Sequence, residues 1–201
     1  MLLVRHGETI WNYTSRYQGH TDIELSETGR NQARLLAAEL KKEKIKAVYS
    51  SDLKRAYETA AILASPHNLH VQVTKELREI NFGEWEGLTY QEIMEKYKDL
   101  ASEWYHFPGK VRLPGGENFE ELKERAYGTA LDLMYRNDPG TIIVVAHGGT
   151  IRAIICGILD IDLNHAFQIR QDNTALNIID YYPEDGYIVL SLLNGTSHMN
   201  S

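Results

Sequence analysis

Apolar and polar positions change period in blocks along this chain, and the blocks predict strands and helices in turn. Residues 1–5, Met-Leu-Leu-Val-Arg, are apolar almost without a break and read as a buried strand. A polar loop runs to Leu25, after which Ser26 caps a helix whose apolar positions Ala33, Leu36, Ala37 and Leu40 share one face. Lys46 to Tyr49 is a short strand. Ser51 or Asp52 opens the next helix, with Leu53, Tyr57, Ala60 and Ala64 on its inner side, and Ser65-Pro66 stops it. Val71 and Val73 mark one more short strand.

Between Leu77 and Leu88 the pattern loosens. Thr89 with Glu92 has capping-box spacing, followed by Ile93, Met94 and Tyr97. Residues 98–116 carry Trp104, Tyr105 and Phe107 among prolines and glycines, and read as an irregular, lid-like insertion over the main domain. A helical period returns over 117–136, with Phe119, Leu122, Ala126, Ala130 and Leu133 aligned. Thr141 to Ala146 is continuously apolar and β-branched, as a strand covered on both faces requires. His147-Gly148-Gly149 leads into a helix bearing Ile151, Ile154, Ile155 and Ile158, and 175–181 with 187–193 form a hairpin around Tyr182 to Gly186. Strand and helix thus alternate before a final hairpin. The order predicts one α/β domain over 1–201, a three-layer α/β/α sandwich with a mostly parallel mixed sheet.

Length and composition narrow the function. At 201 residues and 43% hydrophobic, the chain can bury a core of its own, which argues against disorder. No apolar run approaches the roughly 20 residues that cross a bilayer, so no membrane partner is expected. The formal charge of −7, from 21 Lys and Arg against 28 Asp and Glu, does not favour nucleic acid. Any anion site must therefore be local. The lone Cys156 excludes an intrachain disulfide framework and suits a cytoplasmic location. A homodimer is compatible with all of this.

In α/β sheets ligands gather beyond the carboxyl ends of strands. Two apolar strands here end alike: Leu3-Val4 runs into Arg5-His6-Gly7, and Val145-Ala146 runs into His147-Gly148-Gly149. If they are adjacent and parallel, both imidazoles emerge at one rim. Gly7 and Gly148 would let a ligand approach the backbone, and the N–H groups of the helix after Gly149 could receive phosphate oxygens. Arg55 puts a cation in the first turn of a helix, where cations are disfavoured; the alternative is a surface arginine paired with Asp52, Glu58 or Glu39. Glu79 stands near Glu76, Glu84 and Glu86, and periodicity does not select among them. Trp85, Trp104, Tyr105 and Phe107 could stack on a flat or apolar ligand or simply pack as a lid. No His, Cys and Asp spacing suggests a metal site.

The Arg5-His6-Gly7 triplet is followed by Glu8-Thr9, Trp11-Asn12, Tyr17-Gln-Gly-His-Thr-Asp22, Leu25-Ser-Glu-Thr-Gly29 and Tyr49-Ser-Ser-Asp-Leu-Lys-Arg-Ala56. Leu77-Arg-Glu-Ile80, Phe82-Gly-Glu-Trp-Glu-Gly87, Pro114-Gly-Gly-Glu117 and Ala146-His-Gly-Gly149 with Arg152 complete the series. Ordered blocks at this density resemble the histidine phosphatase superfamily, also called phosphoglycerate mutase-like, over nearly the whole chain. The resemblance implies that His6 is the nucleophile that accepts a phosphoryl group, that Arg5, Arg55 and His147 line the phosphate pocket, and that Glu79 is the proton donor. It implies substrate contacts from Asn12, Gln18, Thr21 and the Gly148 N–H, a small phosphomonoester as partner, and no metal or other cofactor. Within the superfamily the motifs look most like small bacterial phosphatases, in particular those acting on α-ribazole 5′-phosphate in cobalamin assembly and the broad-specificity phosphatases of the same branch. A cofactor-dependent phosphoglycerate mutase is the first alternative, disfavoured by the few basic residues in 98–116. An inactive phosphometabolite- or phosphoprotein-binding module is the second, disfavoured by the presence of His6, Arg5, Glu79 and His147.

Overall fold

The computed structural model describes residues 1–200. Its strands are β1 (Leu2–Arg5), β2 (Ile45–Ser51), β3 (Val71–Thr74), β4 (Thr141–Ala146), β5 (Leu176–Tyr182) and β6 (Tyr187–Gly195). The helices are α1 (Ile10–Tyr13), α2 (Glu27–Leu40), α3 (Lys54–Ala64), α4 (Tyr90–Lys96), α5 (Lys98–His106), α6 (Phe119–Arg136) and α7 (Gly148–Leu159). One sheet carries the order β3-β2-β4-β1-β5-β6. Its first four strands pair in parallel, while β5 runs antiparallel to both β1 and β6.

Side-chain alternation along the central strands divides the core into two layers. Leu2, Val4, Val48, Ile143 and Val145 face α2 and α3, meeting Leu36, Leu40, Ala56, Ala60 and Leu63. Leu3, Val144 and Ala146 face the other way, toward Leu122, Ala126 and Ala130 of α6 and Ile151, Ile154 and Ile155 of α7. Each fully buried Leu or Ile contributes about 1.5–3 kcal/mol. The expected three-layer α/β/α sandwich is therefore the observed one, and the capping boxes at Thr89 and at Asn118 start α4 and α6. No helix among the described residues is long and apolar enough to cross a membrane.

Two expectations need correction. Helix α3 starts after Leu53, because Ser51 still belongs to β2 and Asp52 is held by Arg78 at 2.6 and 2.7 Å. Its buried face is Arg55, Ala56, Thr59, Ala60, Leu63 and Ala64; Leu53, Ala60 and Ala64 are buried as expected, and Tyr57 is 47% exposed. Residues 98–116 are also more regular than expected, since Lys98–His106 is helix α5, which buries Ala101 and Trp104 on one side. Val111 and Leu113 bury the following segment against the same core. Trp104 packs edge-on to Trp85 and Phe82, so the two tryptophans are core, with no face presented for stacking.

Candidate active site

Strands β1 and β4 are neighbours in parallel register, with Arg5 opposite Ala146. His6 and His147 thus leave the sheet side by side, one residue past each strand. Their ring centroids lie 5.1 Å apart at an interplanar angle of 59°. The His6 backbone is fixed from both sides: its N–H donates to the Ala146 carbonyl at 3.0 Å, and its carbonyl accepts from Thr174 N–H at 3.3 Å. His6 Nδ1 lies 2.7 Å from the Gly7 carbonyl. A carbonyl only accepts, so Nδ1 carries the proton and Nε2 presents its lone pair. Burial, then the charges of Arg55 and Arg5, hold the His6 pKa well below its ordinary value. The ring is neutral at physiological pH. Gly7 is required for packing, not for ligand approach as expected, because a Cβ there would sit 2.5 Å from the Gly29 carbonyl oxygen of α2.

Arg55 is 1% exposed, although it occupies the first turn of a helix. The surface pairing considered for it does not occur: Arg78 takes Asp52 and Arg30 takes Glu58. Instead its Nη1 donates to Thr21 C=O at 2.9 Å and Nη2 to Gly19 C=O at 2.7 Å. Glu86 holds that loop in turn, accepting from His20 N–H at 2.7 Å, Thr21 N–H at 2.8 Å and the Thr21 hydroxyl. Thr21 therefore offers Arg55 its carbonyl, and its hydroxyl is committed to Glu86. Arg5 Nη1 donates to Gln171 C=O at 2.6 Å. Burial lowers both Arg5 and Arg55 to about 10, which leaves them cationic at neutral pH.

Among the described residues several buried donors and acceptors have no hydrogen-bond partner, including Arg5 Nε, Arg55 Nε, Gln18 Oε1 and both ring nitrogens of His147. Polar groups buried without partners each cost about 1–3 kcal/mol and are few in native structures; the others here are His67 Nε2, Trp85 Nε1 and Trp104 Nε1. Arg5, Arg55, Gln18 and His147 all come from motif blocks that the resemblance implies line the phosphate site. Burial, followed by the charge of Arg55, also holds His147 well below the ordinary histidine pKa. Asn12 is placed beside His6 indirectly: its Oδ1 accepts from Thr9 N–H at 3.0 Å and from Asn173 Nδ2 at 3.3 Å, and Asn173 Nδ2 also reaches the His6 carbonyl at 3.1 Å.

Glu79 reaches the same rim from the segment after β3. Its Oε2 accepts the Gly149 N–H at 3.0 Å, and its Oε1 accepts the Thr150 N–H at 3.1 Å and the Ile80 N–H at 3.0 Å. The first-turn donors of α7 expected to receive phosphate oxygens are thus taken by a carboxylate of the protein. The Gly148 N–H lies outside that set. Of the neighbouring acids, Glu86 serves the Arg55 loop, Glu84 accepts from the Tyr97 hydroxyl at 2.7 Å, and Glu76 is exposed. Among the described residues no three His, Cys, Asp or Glu side chains gather as a metal site.

The model of the histidine phosphatase superfamily (branch 1) matches residues 1–194. The chain belongs to that superfamily. It is 38% identical over 199 residues to phosphoserine phosphatase 1 of Hydrogenobacter thermophilus, covering 99% of this chain and 93% of that one. It is similar in structure to Bacillus stearothermophilus YhfR, with a TM-score of 0.92, 30% identity and 98% of each chain covered. An Escherichia coli structure assigned provisionally as an α-ribazole-5′-P phosphatase gives a TM-score of 0.88 at 28% identity, covering 97% of this chain and 95% of that one.

In this histidine phosphatase, three residues that sequence reasoning did not select converge on the site. Arg125 of α6 donates to the carbonyls of Glu76, Arg78 and Glu79 at 2.8, 2.8 and 2.9 Å, and is itself paired with Glu117 at 2.9 Å. It clamps the backbone that carries Glu79. Asn173 precedes the antiparallel β5, whose start lies at the same rim. Arg152, one turn into α7, was visible only as the arginine that ends the Ala146-His-Gly-Gly block. Arg125 gave no signal, because a lone cation on an amphipathic helix reads as solvated surface.

Proposed function

We propose that this phosphatase hydrolyses small phosphomonoesters through a phosphohistidine on His6, without a metal ion. The observation that carries the reading is the neutral His6 ring, its Nδ1 tied to Gly7 C=O at 2.7 Å, beside two buried arginines with unpartnered Nε–H groups. His6 Nε2 attacks phosphorus in line with the ester oxygen, and the P–O bond to the leaving group breaks as the P–N bond forms. Arg5, Arg55 and the Gly148 N–H compensate the equatorial oxygens, with His147 as a further contact. Glu79 gives its proton to the departing alkoxide. In the second half a water attacks the phosphohistidine, Glu79 accepts the proton, and inorganic phosphate leaves.

The family relatives point to two leaving groups. O-Phosphoserine follows from the Hydrogenobacter relative, and α-ribazole 5′-phosphate from the Tyr17–Asp22 and Phe82–Gly87 blocks together with the Escherichia coli structure. The mutase alternative asks for a basic clamp in 98–116. Arg112 is not free for that role, being bonded to the Gly116 carbonyl at 2.8 Å and paired with Glu121.

The test is phosphate release from a chromogenic phosphomonoester in the presence of chelator, alongside 3-phosphoglycerate supplied with a trace of 2,3-bisphosphoglycerate. Turnover of the first, without rapid conversion of the second to 2-phosphoglycerate, is expected. Interconversion outrunning phosphate release would replace the phosphatase by a mutase, and no turnover over a broad panel of esters would leave a binding module.

A further inference from the structure

A phosphoryl ester brings two negative charges, and Arg5 and Arg55 balance them. A third guanidinium stands at the same place. A Cβ built on Gly148 would lie 3.2 Å from Arg152 Nη1 and 3.5 Å from Arg5 Nε, so the two arginines flank the first residue of α7. Arg152 is anchored at one atom only, its Nε donating to the Ile169 carbonyl at 2.8 Å. Among the described residues neither of its Nη atoms makes a hydrogen bond, and it forms no ion pair, whereas Arg30, Arg78 and Arg125 each hold a carboxylate. The acids whose charges act on Arg152 are Glu79 first and then Asp172: Glu79 is held by the Ile80, Gly149 and Thr150 N–H groups, and Asp172 by Arg170 at 2.8 Å and by Asn194 Nδ2 at 2.9 Å. With its Nε fixed, the guanidinium keeps a defined plane and a free pair of donors, the geometry that receives a carboxylate in two parallel hydrogen bonds.

We propose that Arg152 binds a carboxylate carried by the leaving group, so that the site selects phosphate esters of small hydroxy acids over esters of neutral alcohols. This deepens the phosphatase reading and rests on it. Arg152 is among the charges that act on Tyr17, whose hydroxyl is hydrogen-bonded to that of Tyr105. A nucleoside-like leaving group would place no anion at Arg152. Nor do Trp85 and Trp104 offer it a stacking face, being 0% and 1% exposed. An acid such as O-phosphoserine would complete the third charge pair.

The experiment compares O-phosphoserine with O-phosphoethanolamine, the same ester without its carboxylate, and uses p-nitrophenyl phosphate as a reference. The wild-type protein should prefer O-phosphoserine, and Arg152→Gln should reduce the ratio of the two kcat/KM values by about 30-fold or more, chiefly through KM. Arg152→Lys should restore part of the ratio, since a charge remains without the paired donors. Equal losses on both esters, or an unchanged ratio, would overturn the proposal and leave the phosphatase reading standing. Wild-type turnover of all three esters without discrimination would do the same. Failure of the wild-type protein on all three would overturn both.

Discussion

Glu79 and Gly149 are locked together: the carboxylate takes the Gly149 N–H at 3.0 Å, and a Cβ on Gly149 would lie 2.5 Å from Glu79 Oε1. Gly149→Ala must therefore push the carboxylate away from the start of α7. Misplacing a reacting group by about 1 Å can cost on the order of 100-fold in rate. We expect that loss in kcat/KM, which reports transfer to His6 and not the later hydrolysis, on an alkyl phosphate and a much smaller one on p-nitrophenyl phosphate, whose phenolate departs without a proton, with Glu79→Gln showing the same contrast. Steady-state kinetics on the two esters check it; equal losses in kcat/KM on both would remove Glu79 from protonation of the leaving group.

Arg55 donates to two loop carbonyls, at 2.7 and 2.9 Å, and forms no ion pair among the described residues. Removing one donor of this kind costs on the order of 3 kcal/mol of transition-state stabilisation, or about 100-fold in kcat. Arg55→Ala should show this with the fold retained by circular dichroism. A loss under tenfold would reduce Arg55 to a structural tether for residues 19–21.

The pKa directions of His6 and His147 predict a pH dependence of stability. Both are lowered in the folded protein by burial first and then by Arg55. Unfolded histidines take up protons near pH 6.5, so below that value the unfolded chain binds more protons and stability falls as pH falls. Above it these two groups contribute no slope. Urea midpoints between pH 7.5 and 5.5 should decline on the acid side, and the decline should shallow in His147→Gln. An identical slope in that variant would contradict the assignment.

Much of the fold and part of the site were legible in the sequence. The matched endings of residues 1–5 and 141–146 placed both histidines at one rim because parallel neighbours in register bring their next residues together, as Arg5 opposite Ala146 does. The burial of Arg55 was not legible, since its partners are carbonyls of Gly19 and Thr21, which carry no residue-type signal. Glu79 could be chosen only through the family resemblance, because its bonds to the Gly149 and Thr150 N–H groups depend on how the segment after β3 crosses α7. The helix α5 was hidden by aromatic residues that read as irregular yet pack at Ala101 and Trp104 on one side.

The aromatic cluster gives a separate prediction about stability. Trp104 meets Phe82, Trp85, Tyr105 and Phe119 within ring-centroid distances of 5.0–6.0 Å. Trp104→Ala should lower unfolding free energy by about 3–5 kcal/mol, as large-to-small changes in a packed core do. Urea denaturation checks this. A change under about 1 kcal/mol would mean that the ring serves the ligand and not the core.

The most direct test of the account is to mix the protein with an ester carrying a radiolabelled phosphoryl group, quench it within one turnover, and locate the label. A phosphohistidine is stable in base and lost in acid, and it should map to the peptide containing His6 and disappear in His6→Ala. Label on a serine, or label undiminished in His6→Ala, would contradict the mechanism.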